Sequence, residues 1–226
     1  MSENEIIFSN AVRGKKIPLR AVALWFSNLS IFGTNDSLDS EFNDAVSEIL
    51  QGFNLESLSS DRAVRNVREL FKSFGTDPTK WRPSSEAMIR RILKDKGLFR
   101  INSLVDINNI VSIRYRLPIG LYDRDKVKGN IIIDKGAEGD LFTGLTGREY
   151  SADNKPVVMD ETGIIGSPIV DSEKTKITDG TINAIALIFS NIEEQFEHAF
   201  NAGLEFSRLV SVYHPGAIVS GPHQID

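Results

Sequence analysis

Apolar and polar residues follow distinct spacings along the first part of the chain, and these spacings predict a buried strand and then a surface helix. The segment from Ile17 to Phe26 is rich in Val, Leu and aromatic residues, which is typical of a buried strand. The polar segment from Gly33 to Ser40 is its exit loop. After Ser40, apolar residues recur close to every 3.6 positions, and Gly52 stands where a helix would stop. Those apolar residues are Phe42, Val46, Ile49 and Leu50.

A second helical pattern starts at Ser60 and is apolar on one face and basic on another. The apolar face carries Val64, Val67, Leu70 and Phe71, and the basic face carries Arg62, Arg65 and Arg68. The basic face is suited to meet a polyanion. A turn follows, because Gly75 and Pro78 interrupt the pattern and the proline disfavours helical backbone at Asp77.

A third and a fourth helix are predicted from capping residues. Ser84 caps a helix that carries Glu86 in its first turn and that ends at Gly97. Ser103, followed three residues later by Asp106, resembles a capping box. The helix that starts there ends before Pro118.

Two adjacent asparagines, Asn108 and Asn109, interrupt this fourth helix with poor helix formers. A local rule that is broken inside an otherwise consistent element indicates a binding role. The alternative to a binding role is that both asparagines are exposed or hydrogen-bonded locally.

Short β-like runs replace the helical spacing after Gly129, and Gly, Asp, Asn and Pro separate them, which predicts an antiparallel meander. The runs are 131–133, 157–159, 164–165, 169–170 and 183–189. A last helix is predicted over residues 191–212, followed by a tail over residues 213–226. It carries the acidic residues Glu193, Glu194, Glu197 and Glu205. The predicted fold class is α+β, a mixed or antiparallel sheet with packed helices.

Length and composition favour one domain over residues 1–226, with a motif-bearing core at 62–189. A chain of 226 residues with 41% hydrophobic residues buries a sizeable core without staples. The absence of cysteine excludes disulfides, thiolate metal sites and cysteine nucleophiles in this sequence. No apolar run of about 18 residues is present, and the first residues are acidic, so we expect a cytoplasmic protein with no membrane partner.

Charge is distributed unevenly along the chain. Residues 62–128 carry 16 basic and 7 acidic side chains, whereas the rest of the chain carries 10 basic and 24 acidic ones. Such a basic band favours a surface that meets an anion, while the acidic remainder limits non-specific binding. The alternative to an anion-binding surface is a solvated surface that happens to be basic.

Three successive motifs in this band resemble one known family. They are Trp81 to Lys94 (WRPSSEAMIRRILK), Ile101 to Asn109 (INSLVDINN) and Leu117 to Asp123 (LPIGLYD). Together they resemble the tRNA-binding and editing region, the B-three/B-four domain, of the phenylalanyl-tRNA synthetase β subunit in a free-standing form. The resemblance implies an α and β unit that, in the synthetases, hydrolyses tyrosine wrongly attached to the phenylalanine tRNA. No class II synthetase motif is present, so we do not expect a complete synthetase.

Site residues follow from the resemblance position by position. Arg91 matches a motif arginine, Asn109 matches the asparagine of the second motif, and Pro118 matches a proline that lines the editing pocket. Asp123 matches the aspartate that closes the third motif. Gly120 stands where the synthetases have a histidine, and Leu187 stands where they have a glutamate. Two polar groups of the editing site are therefore replaced.

Hydrolysis of an aminoacyl ester needs an oriented water and donors for the oxyanion, but no covalent nucleophile. We therefore expect a substrate pocket and name no catalytic residue. The expected pocket residues are Arg91, Asn108, Asn109, Pro118 and Gly120. The residues expected to hold the phosphates of the tRNA acceptor end are Arg82, Arg90, Lys94 and Arg100.

Structural roles are open for several of these residues. Arg91 paired with Glu86 or Asp106 is one alternative, and Asp123 capping its own turn through Lys126 is another. The histidines lie near the end of the chain without metal-ligand spacing, so we expect neither a metal nor a cofactor.

The sequence thus predicts a tRNA-binding protein that hydrolyses mischarged aminoacyl-tRNA in trans, with no DNA partner. A non-enzymatic module that binds an amino acid or another small molecule is the alternative.

Overall fold

A computed structural model describes residues 4–14, 17–33, 36–192 and 196–225. Its helices are α1 (Asn10–Gly14), α2 (Asp36–Gly52), α3 (Leu55–Ser60), α4 (Arg62–Phe74), α5 (Ser84–Ile92), α6 (Ser103–Tyr115) and α7 (Phe196–Tyr213). Its strands are β1 (Ile6–Phe8), β2 (Leu19–Ser27), β3 (Ile119–Asp123), β4 (Ile131–Lys135), β5 (Leu141–Thr143), β6 (Glu149–Ser151), β7 (Pro156–Asp160), β8 (Gly163–Gly166), β9 (Ala184–Asn191) and β10 (Ile218–Ile225).

A four-stranded antiparallel sheet, in the order β10-β2-β9-β3, forms the centre of the molecule. Strand β9 is buried at every position, and β2 is buried at most of its positions. Strands that are covered on both faces carry continuous apolar runs rather than alternating ones. The central sheet therefore lies between two other layers.

Helices cover one face of the central sheet. Their shared core contains Ile107 and Val111 of α6, Phe206 of α7, and Ile119 and Leu121 of β3. Helices α2, α5 and α7 pack against α6. Helix α6 therefore belongs to the helical layer.

A second sheet, in the order β1-β4-β7-β8, covers the opposite face. It is mixed, because β1 pairs with β4 in parallel and β4 pairs with β7 antiparallel. The core between the two sheets includes Ala23 and Leu187 of the central sheet and Ile131 and Val158 of the second sheet. The three layers confirm the predicted α+β class with packed helices.

Capping explains where two of the helices start, and it corrects both sequence predictions. Helix α6 is capped by Asn102, whose side chain accepts the N–H of Val105 at 3.1 Å, and not by Ser103. Helix α5 starts after Pro83 without a side-chain cap, so Ser84 is its first residue rather than its cap. A proline cannot donate a backbone hydrogen bond, and a helix start does not need that donor.

The end of the chain differs from the prediction of a tail. Residues Ile218–Ile225 form β10, which pairs with β2 and forms an edge of the central sheet. Pairing with β2 satisfies backbone groups that no local pattern reveals. Helix α7 starts at Phe196, so Asn191 and Ile192 lie before it, and the predicted acidic residues Glu193 and Glu194 lie outside the described residues.

The predicted meander is correct only in part. Strands β7 and β8 form a hairpin beside β4, but β9 crosses to the central sheet, and residues 169–170 form no strand. In the part of the chain that the structure describes, no helix is long and apolar enough to cross a membrane.

Candidate functional site

Strands β3 and β9 place the two replaced editing positions side by side. Gly120 and Leu187 are direct register partners across the two strands. Leu187 is fully buried in the core between the two sheets. Neither of these two register partners carries a polar side chain.

Tyr122 fills the space beside Gly120. A Cβ atom at Gly120 would overlap the Tyr122 hydroxyl and lie 2.7 Å from its ring carbon Cζ, and the Tyr122 side chain is fully buried. Residues two apart on a strand point to the same face, which places both positions over the core between the sheets. A side chain larger than hydrogen at position 120 therefore requires Tyr122 to move.

Asp171 approaches the same place from the loop after β8. Its Oδ1 atom and the Tyr122 ring each lie 2.9 Å from the Cβ position of Gly166, and its Oδ2 atom accepts the N–H of Leu121 at 3.1 Å. Burial raises the pKa of Asp171 to about 7, although the Leu121 N–H and the Tyr122 hydroxyl both favour the carboxylate. Burial and the neighbouring Asp171 raise the pKa of Tyr122 well above its ordinary value. Asp171 is thus partly buried with its Oδ1 atom enclosed, and Tyr122 beside it is a fully buried neutral phenol.

Asp171 is expected to make the protein less stable as the pH rises from about 4 to about 7. Its pKa in the folded chain, about 7, exceeds its ordinary value, so folding favours the protonated form. Its stabilising contribution is complete below the unfolded pKa and is lost as pH rises through the folded pKa, at about 1.4 kcal/mol per unit of pKa. Urea unfolding of wild type and Asp171→Asn across this range measures the effect. An unchanged pH slope in the variant would contradict the assignment to Asp171.

The asparagines of α6 lie apart from Gly120. Helix α6 packs on the helical face of the central sheet, whereas the Cβ position of Gly120 points to the other face. Pro118 precedes β3, and its carbonyl accepts the N–H of Phe189 at 3.0 Å. The structure thus does not gather the five expected pocket residues on one face of the sheet.

Asn108 carries an unusual polar atom. The residue is only 8% exposed, and its Oδ1 atom is buried without a hydrogen-bond partner among the described residues. Asn109 beside it is partly buried. A buried acceptor without a partner is rare in proteins and needs an explanation such as a bound water or a ligand. This atom therefore keeps Asn108 a candidate for binding.

Arg91 holds a loop and pairs with neither suggested carboxylate. Its guanidinium donates to the carbonyls of Lys96 and Gly97, each at 3.1 Å, and lies 4.7 Å from the centroid of the Phe99 ring. The alternative of Arg91 paired with Glu86 or Asp106 is therefore wrong, because other arginines occupy both. The described contacts of Arg91 support the end of α5.

Asp123 caps its own turn. Its carboxylate accepts the N–H of Asp125 at 3.2 Å and the hydroxyl of Thr181 at 2.8 Å, and Lys126 pairs with it at 2.9 Å. These contacts use both oxygens. The structural alternative for Asp123 agrees with this geometry.

Glu86 gathers the arginines of the basic band. Its carboxylate is 1% exposed and pairs with Arg68 and Arg90, each at 2.6 Å, while Arg82 lies 3.9 Å away. Burial opposes ionisation of Glu86, but the hydrogen bonds from Arg68 and Arg90 outweigh it and lower its pKa. Arg90 also donates to Ser59 at 2.9 Å. The Arg90 charge is thus engaged inside the protein.

The other residues expected to bind phosphate are either paired inside the protein or exposed. Arg100 pairs with Asp106 at 2.7 Å and with Asp39 at 2.6 Å, and it stacks over the Phe42 ring. Lys94 is exposed, and 43% of the Arg82 side chain is exposed. Of the four expected residues, Arg82 and Lys94 therefore remain accessible to a polyanion.

A group of lysines that the sequence reasoning missed surrounds Asn154. Lys80, Lys135 and Lys155 line adjoining cavities there. Lys80 and Trp81 are neighbours in the sequence. This pairing of a cation with an aromatic residue is the local signal that could have indicated the group. The other two lysines lie in the β-rich part, where the basic band has ended.

Comparison with known families gives a match over more than half of the chain. The family model of the B3/4 domain matches residues 66–195.

The phenylalanine-tRNA ligase β subunit of Wolbachia sp. subsp. Brugia malayi is 29% identical over 148 residues, covering 59% of this chain and 18% of the relative. The β subunit from Bartonella henselae is 34% identical over 104 residues, covering 45% of this chain and 13% of the relative. The β subunit from Bradyrhizobium diazoefficiens is 37% identical over 83 residues, covering 36% and 10%. The chain spans less than a fifth of the length of these curated relatives.

A solved structure shares the fold. The N-terminal fragment of the phenylalanyl-tRNA synthetase β subunit from Pyrococcus horikoshii matches 97% of this chain and 51% of its own length, with a TM-score of 0.51 and 15% identity. At this identity the likeness shows the fold alone.

Proposed function

Because the chain belongs to the B3/4 domain family, we propose that it binds tRNA and hydrolyses mischarged aminoacyl-tRNA in trans. The family match and the similarity to phenylalanine-tRNA ligase β subunits relate the domain to tRNA synthetases. The observation that carries the proposal is that the matched region, residues 66–195, contains most of the basic band. A band of this kind supplies the charge that phosphate contacts require.

Binding uses the accessible cations of the band. Arg82 and Lys94 remain open to solvent, whereas Arg90 and Arg100 act inside the protein. Phosphate contacts fix the position of an RNA without reading its sequence. Arg82 and Lys94 therefore hold the acceptor end in this proposal.

Hydrolysis relies on the asparagines of α6 rather than on the Gly120 position. Tyr122 and Leu187 fill the space beside Gly120, so we place the reacting water at the asparagines instead. The unpartnered Oδ1 atom of Asn108 accepts a hydrogen bond from a water or a substrate group, and the amide of Asn109 beside it donates one. Ester hydrolysis needs an oriented water and hydrogen-bond donors for the oxyanion.

Deacylation of a panel of correctly and wrongly charged tRNAs tests the proposal. We expect hydrolysis of a mischarged tRNA by the wild type and a roughly 100-fold lower rate with Asn109→Ala, the usual effect of removing one oxyanion donor. Asn130→Ala, at an exposed asparagine, is the matched control and keeps the wild-type rate. Equal rates in both variants would contradict the role of Asn109.

Binding is measured separately from hydrolysis. The affinity for tRNA is expected to fall steeply with salt, because each neutralised phosphate releases counterions. Salt-dependent binding without hydrolysis would support the proposed tRNA binding and contradict the proposed hydrolysis.

A small-molecule module is the second candidate function. The observation that favours it is the internal neutralisation of Arg90 and Arg100 by Glu86, Asp106 and Asp39. A small ligand would bind with little dependence on salt. Absence of both tRNA binding and hydrolysis would put this candidate first.

A further inference from the structure

An aspartate and a glycine, Asp179 and Gly180, lie exposed in a turn between the second 3-10 turn and β9. An aspartate before glycine is prone to rearrange to isoaspartate, because the glycine nitrogen attacks the aspartate side chain and the glycine has no Cβ to hinder it. The sequence has one aspartate–glycine step and no asparagine–glycine step. This type of reactive step therefore occurs at one place in the chain.

The turn leaves the Gly180 nitrogen uncommitted. The Thr181 N–H donates to the Thr178 carbonyl, and the Thr178 N–H donates to the Thr181 hydroxyl, each at 3.0 Å. These two bonds close the turn around Asp179 and Gly180. Within the described part of the chain, the Gly180 N–H donates to no acceptor. Apart from the chain neighbours of Gly180, the atom nearest to its Cβ position is the Thr178 hydroxyl oxygen, at 3.9 Å, so nothing crowds the glycine.

A related step elsewhere in the chain shows the opposite arrangement. Asp171 precedes Ser172, which is a small residue as well. The Ser172 N–H donates to the Ile165 carbonyl at 3.0 Å, and Ser172 is buried. A nitrogen held in this way must break its hydrogen bond before it approaches the neighbouring side chain, and a buried donor without a partner is unfavourable. The fold thus protects this step and leaves the Gly180 nitrogen open.

The same turn holds a buried carboxylate of the third motif. The Thr181 hydroxyl donates to the Oδ2 atom of Asp123 at 2.8 Å, and both residues are buried. Next to Asp123, the Arg124 N–H donates to the Asn183 carbonyl at 2.9 Å. A change of the main chain within the turn therefore reaches the end of β3.

We propose that Asp179 is a site of spontaneous isoaspartate formation. The Gly180 nitrogen bonds to the side-chain carboxyl carbon of Asp179, and the carboxyl hydroxyl leaves as water with the proton of that nitrogen. The product is a cyclic imide. Water then adds to one of the two imide carbonyls and opens the ring, which gives either aspartate or isoaspartate. No oxidant or reductant takes part.

The isoaspartate form is a substrate for a protein carboxyl methyltransferase. In this form the α-carboxylate of Asp179 is free, because the chain continues through the side-chain carbonyl. An isoaspartyl methyltransferase moves the methyl group of S-adenosylmethionine to that carboxylate and releases S-adenosylhomocysteine. Loss of methanol from the ester re-forms the imide, so repeated cycles return the residue to aspartate. The exposure of Asp179 and Gly180 makes the turn accessible to such an enzyme.

Isoaspartate also changes the fold around the turn. It adds the Cβ atom of Asp179 to the main chain between Thr178 and Thr181, so the two bonds that close the turn lose their spacing. The Thr181 hydroxyl then moves away from Asp123, and a buried carboxylate that loses a donor destabilises the folded chain. We expect the melting temperature of the modified protein to fall by about 2–4 °C.

Ageing of the folded full chain at physiological temperature and neutral pH tests the site. We expect a recombinant isoaspartyl methyltransferase to transfer more label from S-adenosylmethionine to the protein as the incubation lengthens. Endoproteinase Asp-N cuts before aspartate but not before isoaspartate, so cleavage before Asp179 should decrease. Cleavage before Asp171 should stay constant, because the Ser172 nitrogen is bonded.

Gly180→Ala is the matched control for the ageing experiment. An alanine methyl group fits at position 180, where the Thr178 hydroxyl oxygen lies 3.9 Å away, but it hinders the attack by the nitrogen. This variant is expected to lose most of the methyl incorporation. Equal incorporation by Gly180→Ala and the wild type would overturn the proposal.

Incubation of the wild type in urea separates the effect of the turn from that of the sequence. Both the folded and the unfolded chain are expected to accept methyl groups after ageing. Acceptance by the unfolded chain alone would show that the turn prevents the reaction, and the proposal would be wrong.

The melting temperature of the aged protein tests the link to Asp123. Treatment with the methyltransferase and S-adenosylmethionine should restore the wild-type value, because it returns isoaspartate to aspartate. A modified protein that melts at the same temperature as the fresh protein would contradict this link. The tRNA assays are independent of these measurements.

Discussion

Replacement of Gly120 with alanine is expected to lower the free energy of unfolding by about 3 kcal/mol, the upper part of the usual range for overpacking a core. The added Cβ would overlap the Tyr122 hydroxyl and lie 2.7 Å from its ring, and Tyr122 is fully buried between the two sheets. The melting temperature would fall by roughly 6–12 °C for a chain of this size. Urea unfolding followed by circular dichroism measures the loss.

Gly14→Ala is the control for this substitution, because nothing lies within 4 Å of the Cβ position of Gly14. A double-mutant cycle with Tyr122→Val gives a sharper test. In the Tyr122→Val background the tyrosine ring is absent, so Gly120→Ala should lower the free energy of unfolding by much less. The effects of the two substitutions are then not additive. Additive effects would show that Tyr122 does not fill the Gly120 site.

The same substitution bears on the editing chemistry of the family. By the resemblance of the motifs, Gly120 matches a histidine of the synthetases and Leu187 matches a glutamate, and the two residues are register partners. If Tyr122 occupies the space, restoring the histidine alone disrupts the fold rather than creating an editing site. Gly120, Leu187 and Tyr122 thus pack together as one unit.

Removal of the Glu86 charge by Glu86→Gln is expected to lower the free energy of unfolding by about 3 kcal/mol. This value lies at the lower end of the range for breaking a buried pair, because Arg68 and Arg90 keep 20% and 19% of their side chains exposed. The variant leaves two guanidinium groups without their carboxylate. Chemical denaturation at neutral pH measures the effect.

The exposed pair of Glu69 with Lys72 provides the matched control. Its carboxylate is 61% exposed, so Glu69→Gln should change stability by less than about 1 kcal/mol. Acid titration adds a second criterion. The pKa of Glu86 is lowered in the folded protein, so its stabilising contribution exists above the unfolded pKa and is lost as pH falls through the folded pKa. The Glu86→Gln variant should lack this loss of stability at acid pH. A variant that loses stability at acid pH in the same way as the wild type would contradict the prediction.

Local pattern predicted much of the secondary structure. The apolar run of β2 and the spacing of α2, α4 and α6 are confirmed with boundaries that differ by a few residues. These elements carry strong periodicity because one face of each helix must be apolar. The last strand, β10, was missed, because its sequence contains Gly221, Pro222 and polar residues and its stability comes from pairing with β2.

The charge pattern predicted a basic band, but the chemistry of each cation depended on its neighbours. Arg90 and Arg100 look equivalent to Lys94 in the sequence, yet carboxylates from other elements bind the two arginines. Asp39 lies 61 residues from Arg100, and no local rule pairs them. The lysines that line the cavities around Asn154, namely Lys80, Lys135 and Lys155, come from three separate segments for the same reason.

The sequence by itself determined the class of fold, the absence of cysteine chemistry, the basic band and the order of the three family motifs, because composition and short-range spacing carry that information. The tertiary structure alone decided that Gly120 and Leu187 are neighbours, that Tyr122 and Asp171 close the core beside them, and that Lys80, Lys135 and Lys155 meet around Asn154. The physical reason is that strand register and the packing of layers bring together side chains that are far apart in the chain, and only that arrangement sets which charges are paired and which space is filled.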